Sequence, residues 1–209
     1  FKNIISSKTG KSHIYSQNEP IIPQVNSFIH ITYKKGKLGS HVDHSSINKG
    51  EFIHVANCIF YASSKWDYGW GGETVLFSRN GYIPIKKLEP KPNRLLIFIH
   101  TSNSFHGVTA YNPLLDIPRK TFYHDYYCHK KDIKKVLKKI NNKRQSKLKY
   151  FPHSTTFIPF LPNGINNFSL KDVFDKRHIS YCLIYFIYLI NGLFKLDLYN
   201  TIKKFFFKK

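Results

Sequence analysis

Between Ser27 and Cys128 the sequence is a succession of short runs, and this cadence most limits what the chain can fold into. The runs are Phe28–Tyr33, Phe52–Tyr61, Thr74–Phe77, Gly81–Leu88, Arg94–His100, His106–Ala110 and Thr121–Tyr127, rich in β-branched and aromatic residues. Lys35-Gly36, Ser45-Ser46, Gly69 to Gly72, Asn80-Gly81, Pro90 to Asn93 and Asn112-Pro113 separate them. Segments this short, closed by glycine, proline and asparagine, suit strands rather than helices. Many such strands in series predict a mainly β fold, an antiparallel barrel or double-sheet roll.

The pattern changes near residue 129. Ile133, Val136, Leu137 and Ile140 stand at i, i+3, i+4 and i+7 with lysines between them, which predicts a helix with one apolar stripe and one basic face. Pro152, Pro159, Pro162 and Gly164 mark a linker. Ser169 and Asp172 are placed as a helix cap, and the uncharged run Ile179–Phe194 reads as a buried core helix interrupted at Asn191-Gly192. That run of sixteen residues is shorter than the roughly twenty that span a bilayer. The expected division is a first domain over 1–128, opened by a loose lead-in to about residue 24, and a basic helical extension over 129–209.

The 209 residues carry 33 Lys+Arg against 12 Asp+Glu, and 18 of the basic residues fall after residue 128. Such a surface attracts phosphate, anionic lipid or an acidic partner. Only 5 of the 33 are arginine, the residue that forks to bases and phosphates, so nucleic acid and membrane surfaces are not the favoured partners. Cys58, Cys128 and Cys182 are too scattered for a disulfide framework or a CxxC zinc site. They suit a reducing compartment, so a cytoplasmic location is expected. No secretory signal is visible near Phe1, and a chain with no methionine is expected to lack its native N-terminus.

His41 and Asp43 stand at i and i+2, so on an extended segment their side chains leave one face and can chelate one cation. His106 enters a later strand, and Arg119 opens the last one. Two histidines and a carboxylate on the strands of a roll are the donor set of non-haem Fe(II) oxygenases, which leaves coordination positions open. An arginine nearby can fork to the far carboxylate of a dicarboxylate co-substrate. His44, His54 and His100 are rival ligands, but His44 has the wrong parity, His54 has no carboxylate two residues away, and His100 ends a strand. Arg94 is a rival clamp but suits a surface carboxylate better.

The order Tyr33, His41-Val42-Asp43, Cys58-Ile59-Phe60-Tyr61, Lys65-Trp66-Asp67, Gly71-Gly72-Glu73, Glu89 to Phe98, His106, Arg119 and Tyr126-Tyr127 resembles the prolyl-4-hydroxylase-like Fe(II)/2-oxoglutarate dioxygenases. Within them it is most similar to the oxygen-sensing prolyl hydroxylases, over roughly residues 28–128. The resemblance implies a double-stranded β-helix (jelly roll, cupin-like) with flanking helices. It implies His41, Asp43 and His106 as iron ligands, Arg119 and the Tyr61 hydroxyl on the distal carboxylate of 2-oxoglutarate, and Tyr33 at the mouth of the site. The spacing from His106 to Arg119 is longer than in that family, and residues 129–209 match no part of it.

The expected activity is therefore hydroxylation of an unactivated C–H bond, with dioxygen and 2-oxoglutarate consumed and succinate and CO2 released. Fe(II) is the cofactor, and ascorbate is compatible with this chemistry. The substrate class is a prolyl or other protein residue, or a small molecule or glycan precursor. The contrasting expectation is a non-catalytic roll whose basic helices dock nucleic acid, anionic membrane or a protein. Repair of alkylated nucleic acid by the same metal chemistry has only the charge behind it.

Overall fold

The computed structural model describes residues 14–16, 22, 29–140, 150–159 and 176–194. The Ser169/Asp172 cap, Pro162, Gly164 and most of the expected lead-in lie outside these, as do the side chains of Leu137 and Ile140.

The chain is mainly β, built from two antiparallel sheets. In the first, β10 (Arg119–His129) pairs along one edge with β5 (Phe52–Tyr61). Its other edge takes β2 (Ile29–Thr32) at one end and β1 (Ile14–Ser16) at the other. β4 (Ser46–Ile47) and β8 (Leu95–Ile99) complete it on the far side of β5. The second sheet runs β11 (Thr156–Phe157), β3 (Leu38–Val42), β9 (His106–Val108), β6 (Thr74–Phe77), β7 (Pro84–Leu88). β1 corrects the expected loose lead-in: Ile14, Tyr15 and Ser16 pair with Cys128, Tyr127 and Tyr126, and Ile14 is buried.

Strand alternation sorts the first sheet into two faces. On the outer face Ile53, Ala56, Cys58, Tyr126 and Cys128 pack with Val136 of α1 (Ile133–Ile140), the expected helical stripe meeting its core. Each large apolar side chain so buried contributes about 1.5–3 kcal/mol. The inner face carries Asn57, Ile59 and Tyr61 opposite Asp125, Tyr123 and Thr121. Between Asn57 and His54 the register slips: Ala56 pairs with Tyr126, but His54 pairs with Tyr127, leaving Val55 as an extra residue. This bulge turns His54 onto the inner face that simple alternation denies it.

The outer face of the second sheet is covered by Phe151, Ile158 and α2 (Lys176–Phe194). Val42, Phe105, Phe151, Ile158 and Tyr188 form that core. α2 departs from the expected buried helix with a break. It runs through Asn191-Gly192, because the Asn191 amide donates to Pro152 O (3.0 Å) and Gly192 leaves room for the Phe151 ring, which a β-carbon would meet at 3.0 Å. Its other face, with Ile179, Leu183, Phe186, Leu189 and Leu193, is exposed. Among the described residues no helix is long and apolar enough to cross a membrane.

Candidate metal centre

β3 and β9 are neighbours, and His41 pairs directly with His106 across them. Both side chains point between the sheets, with ring centroids 4.3 Å apart. Asp43 follows β3 and reaches the same point: its Oδ1 lies 3.6 Å from His41 Nε2 and its Oδ2 3.4 Å from His106 Nε2. His41 Nδ1 bonds Gly39 O (2.9 Å) and His106 Nδ1 bonds Ser104 O (3.1 Å). A carbonyl only accepts, so each Nδ1 carries a proton and each Nε2 is the ring atom turned toward Asp43. The His41 ring is also stacked on Phe157 of β11 at 4.9 Å, so residues beyond 128 touch this centre.

Charge is balanced tightly here. Burial opposes ionisation of Asp43, but the two imidazoles outweigh it and hold the carboxyl well below the usual range. Burial lowers His41 too, yet the Asp43 carboxylate carries it above its ordinary value. Burial and the neighbouring His41 push His106 down to about 4. One imidazole is thus poised to hold a proton beside Asp43 while the other stays neutral.

The cavity in front of this triad is lined from both sheets. It includes His30, Asn57, Ile59, Thr74, Thr121 and Tyr123 beside the triad, and Arg119. Arg119 is 4% exposed. Its Nε donates to Gly72 O (2.9 Å), its Nη2 to Thr74 Oγ1 (3.4 Å), and its guanidinium lies 5.4 Å from the Tyr61 ring centre. Among the described residues no carboxylate pairs with it. Burial lowers its pKa, and Tyr61 and Tyr111 partly offset that. A buried guanidinium served only by neutral acceptors is suited to an anionic ligand. Gly72 has a φ of +75°, and a β-carbon there would meet Tyr111 at 2.9 Å and Arg119 at 3.0 Å, so this glycine is what lets its carbonyl reach the clamp.

The other expected site residues fall into two groups. Tyr61 is fully buried, and its hydroxyl shares a hydrogen bond with Thr74 Oγ1 (2.7 Å), so it stands behind the cavity wall beside Arg119. Tyr33 is 65% exposed and is not among the lining residues. Lys120 points outward, and Arg94 donates to Glu89 O (2.8 Å) on the surface. His100 is wholly buried, with Ser104 Oγ 3.4 Å from its Nδ1.

Sequence reasoning missed Asn57 and Asp125. The Asn57 amide donates to Asp43 Oδ2 (3.0 Å) and to Asp125 Oδ1 (3.3 Å). It fixes Asp43 Oδ2 and leaves Oδ1 the freer oxygen. The signal was parity: Asn57 is four residues from Tyr61 and Asp125 six from Arg119, so each shares a face with its partner.

Among the described residues, two groups bring three metal-ligating side chains within 4.8 Å of one another: His41, Asp43 and His106, and separately His44, His54 and Asp125. Residues 27–123 match the family model described as the 2OG-Fe(II) oxygenase superfamily. No curated protein matches the chain. The family so described uses Fe(II) and 2-oxoglutarate, and the chain has His/Asp groups able to bind the metal.

Proposed function

We propose that this chain is an Fe(II)/2-oxoglutarate-dependent dioxygenase with a double-stranded β-helix core, acting as a hydroxylase on an unactivated C–H bond. The family match supports the reaction class. The observation that carries the assignment is the pairing of an Nε2/Nε2/carboxylate triad with a buried arginine lacking a carboxylate partner among the described residues, on one cavity. His41, Asp43 and His106 would hold the iron, which when bound supplies the redox chemistry that activates dioxygen against a C–H bond at the expense of 2-oxoglutarate.

The protein's own work is orientation. Gly39 and Ser104 carbonyls fix the two imidazole tautomers. Asn57 holds one Asp43 oxygen so that the other faces the metal. Arg119, set by Gly72 and Thr74 and backed by Tyr61, takes the distal carboxylate and so fixes the direction of the 2-oxoacid. Ile59 in the lining limits water beside the reacting centre.

The finer reading is prolyl-4-hydroxylase-like, with a protein residue, small molecule or glycan precursor as substrate. Its support is the ordered motif set from Tyr33 to Tyr127. A screen of peptide and saccharide pools with Fe(II), ascorbate and 2-oxoglutarate tests it, read as gain of one oxygen atom on a product matched by succinate. Succinate without any oxygenated peptide would remove the prolyl reading, and no succinate in any pool would remove the enzyme.

A further inference from the structure

Behind Asn57 lies a second group of the same composition as the first. His44 follows β3, His54 sits on β5 at the bulge, and Asp125 is on β10. We infer that His44, His54 and Asp125 form a closed binding site for a divalent cation of the zinc class, separate from the proposed iron centre.

His54 is wholly buried and its Nδ1 lies 3.2 Å from the carbonyl of His44, which only accepts. Nδ1 therefore carries a proton, and Nε2 is the ring atom turned toward Asp125, as the Nε2 atoms of His41 and His106 are turned toward Asp43. That Nε2 forms an ion pair with Asp125 Oδ1 at 3.3 Å but lacks strict hydrogen-bond geometry. An imidazole edge and a carboxylate thus face one another at a spacing that a cation bound to both can use. His44 Nε2 lies 3.1 Å from the Tyr127 hydroxyl, which donates to Asp125 Oδ2 (3.3 Å), and one ring nitrogen of His44 lies within 4.8 Å of the other two ligand atoms. Two imidazoles and a carboxylate, with a phenol beside them, match the nitrogen and oxygen donors that zinc takes.

The two groups differ in access. None of His44, His54 and Asp125 lines the cavity that His41, Asp43, His106 and Arg119 share, and Asn57 stands between the sites. With His54 and Asp125 buried, His44 half-buried, and none of them on the substrate cavity, the ion would be structural, since a catalytic ion needs a position open to substrate. The Asn57 amide touches Asp43 Oδ2 on one side and Asp125 Oδ1 on the other. An ion that orders Asp125 also steadies the amide that holds Asp43.

The test is zinc content by elemental analysis after equilibration with zinc and removal of loose metal, over four forms of the full chain. Zinc itself is the probe, and it can enter the iron centre as well. The expected contents are about two zinc per wild-type chain, about one in His41→Ala/His106→Ala, about one in His54→Ala, and none when all three are combined. Asp125→Asn replaces His54→Ala if that variant fails to fold. Zinc in excess by about a hundredfold over its dissociation constant should also raise the melting temperature of His41→Ala/His106→Ala by roughly 5–10 °C. A folded His41→Ala/His106→Ala protein that takes up no zinc overturns the inference, as does unchanged content in His54→Ala and Asp125→Asn. Since the double variant lacks both imidazoles of the iron centre, failure of the dioxygenase reading leaves this result standing.

Discussion

Replacing Arg119 with alanine separates co-substrate recognition from metal binding. The side chain is 4% exposed and spans Gly72 O and Thr74 Oγ1. Breaking a buried guanidinium–carboxylate pair from one side costs about 3–5 kcal/mol. At about 1.4 kcal/mol per tenfold, that is a loss of roughly two to three and a half orders of magnitude in 2-oxoglutarate affinity. The assay is titration of 2-oxoglutarate into Mn(II)-loaded protein without oxygen, beside a 2-oxoacid of similar size that lacks the second carboxylate. The loss should be confined to the dicarboxylate, with Mn(II) affinity unchanged. Arg119→Lys should recover only part, because it keeps the charge without the planar fork. In the ligand-free protein Arg119→Met should melt no lower than wild type, since a buried cation without a counter-ion is removed. Equal weakening of both acids, or an unchanged 2-oxoglutarate affinity, would refute the clamp.

Other perturbations test the surroundings of the triad. Asn57→Ala removes the bond that fixes Asp43 Oδ2 and should weaken iron binding about 10- to 100-fold, measured by competition with a chromogenic chelator; no change would mean the bond is incidental. Iron uptake should displace a proton from His41, raised above its ordinary value of 6.5 by Asp43 against burial, and none from His106, held at about 4. Affinity should therefore rise with pH until His41 is neutral in the metal-free protein and then level off; calorimetry in buffers of different ionisation enthalpy reads the proton, and a pH-independent affinity through the His41 range would contradict it. Burial pushes the Cys58 thiol up to about 11 and that of Cys128 up to about 12, so both should resist a thiol reagent near neutral pH until the protein unfolds; rapid labelling of either in the native state would show that the outer core is open.

The strand cadence was legible as a mainly β fold, and the spacing of His41 and Asp43, by parity alone, as one shared face, because both are local. The missing parts needed information that no local window holds. Val55 is an ordinary strand residue, and only pairing against Tyr126 and Tyr127 makes it a bulge that brings His54 inward. Asn57 gains its meaning from Asp43 and Asp125, 14 and 68 residues away. Ile14–Ser16 is too short to announce a strand and is one because β10 is long enough to take two partners on one edge. Asn191-Gly192 looked like a helix stop, but the glycine admits Phe151 and the asparagine caps a distant carbonyl, so packing overrode propensity. The uncharged run Ile179–Phe194 predicted a buried helix, whereas the sheet it covers accommodates only the face with Tyr185, Tyr188 and Asn191.

The central claim is that one metal ion and one dicarboxylate meet between the two sheets. A crystal grown without oxygen in Mn(II) and 2-oxoglutarate, with anomalous scattering collected at the manganese edge, tests it most directly. The account predicts a peak at about 2.0–2.2 Å from His41 Nε2, His106 Nε2 and an Asp43 oxygen, with the distal carboxylate of 2-oxoglutarate on Arg119. A peak away from those three atoms, or a 2-oxoglutarate carboxylate that does not touch Arg119, would contradict it.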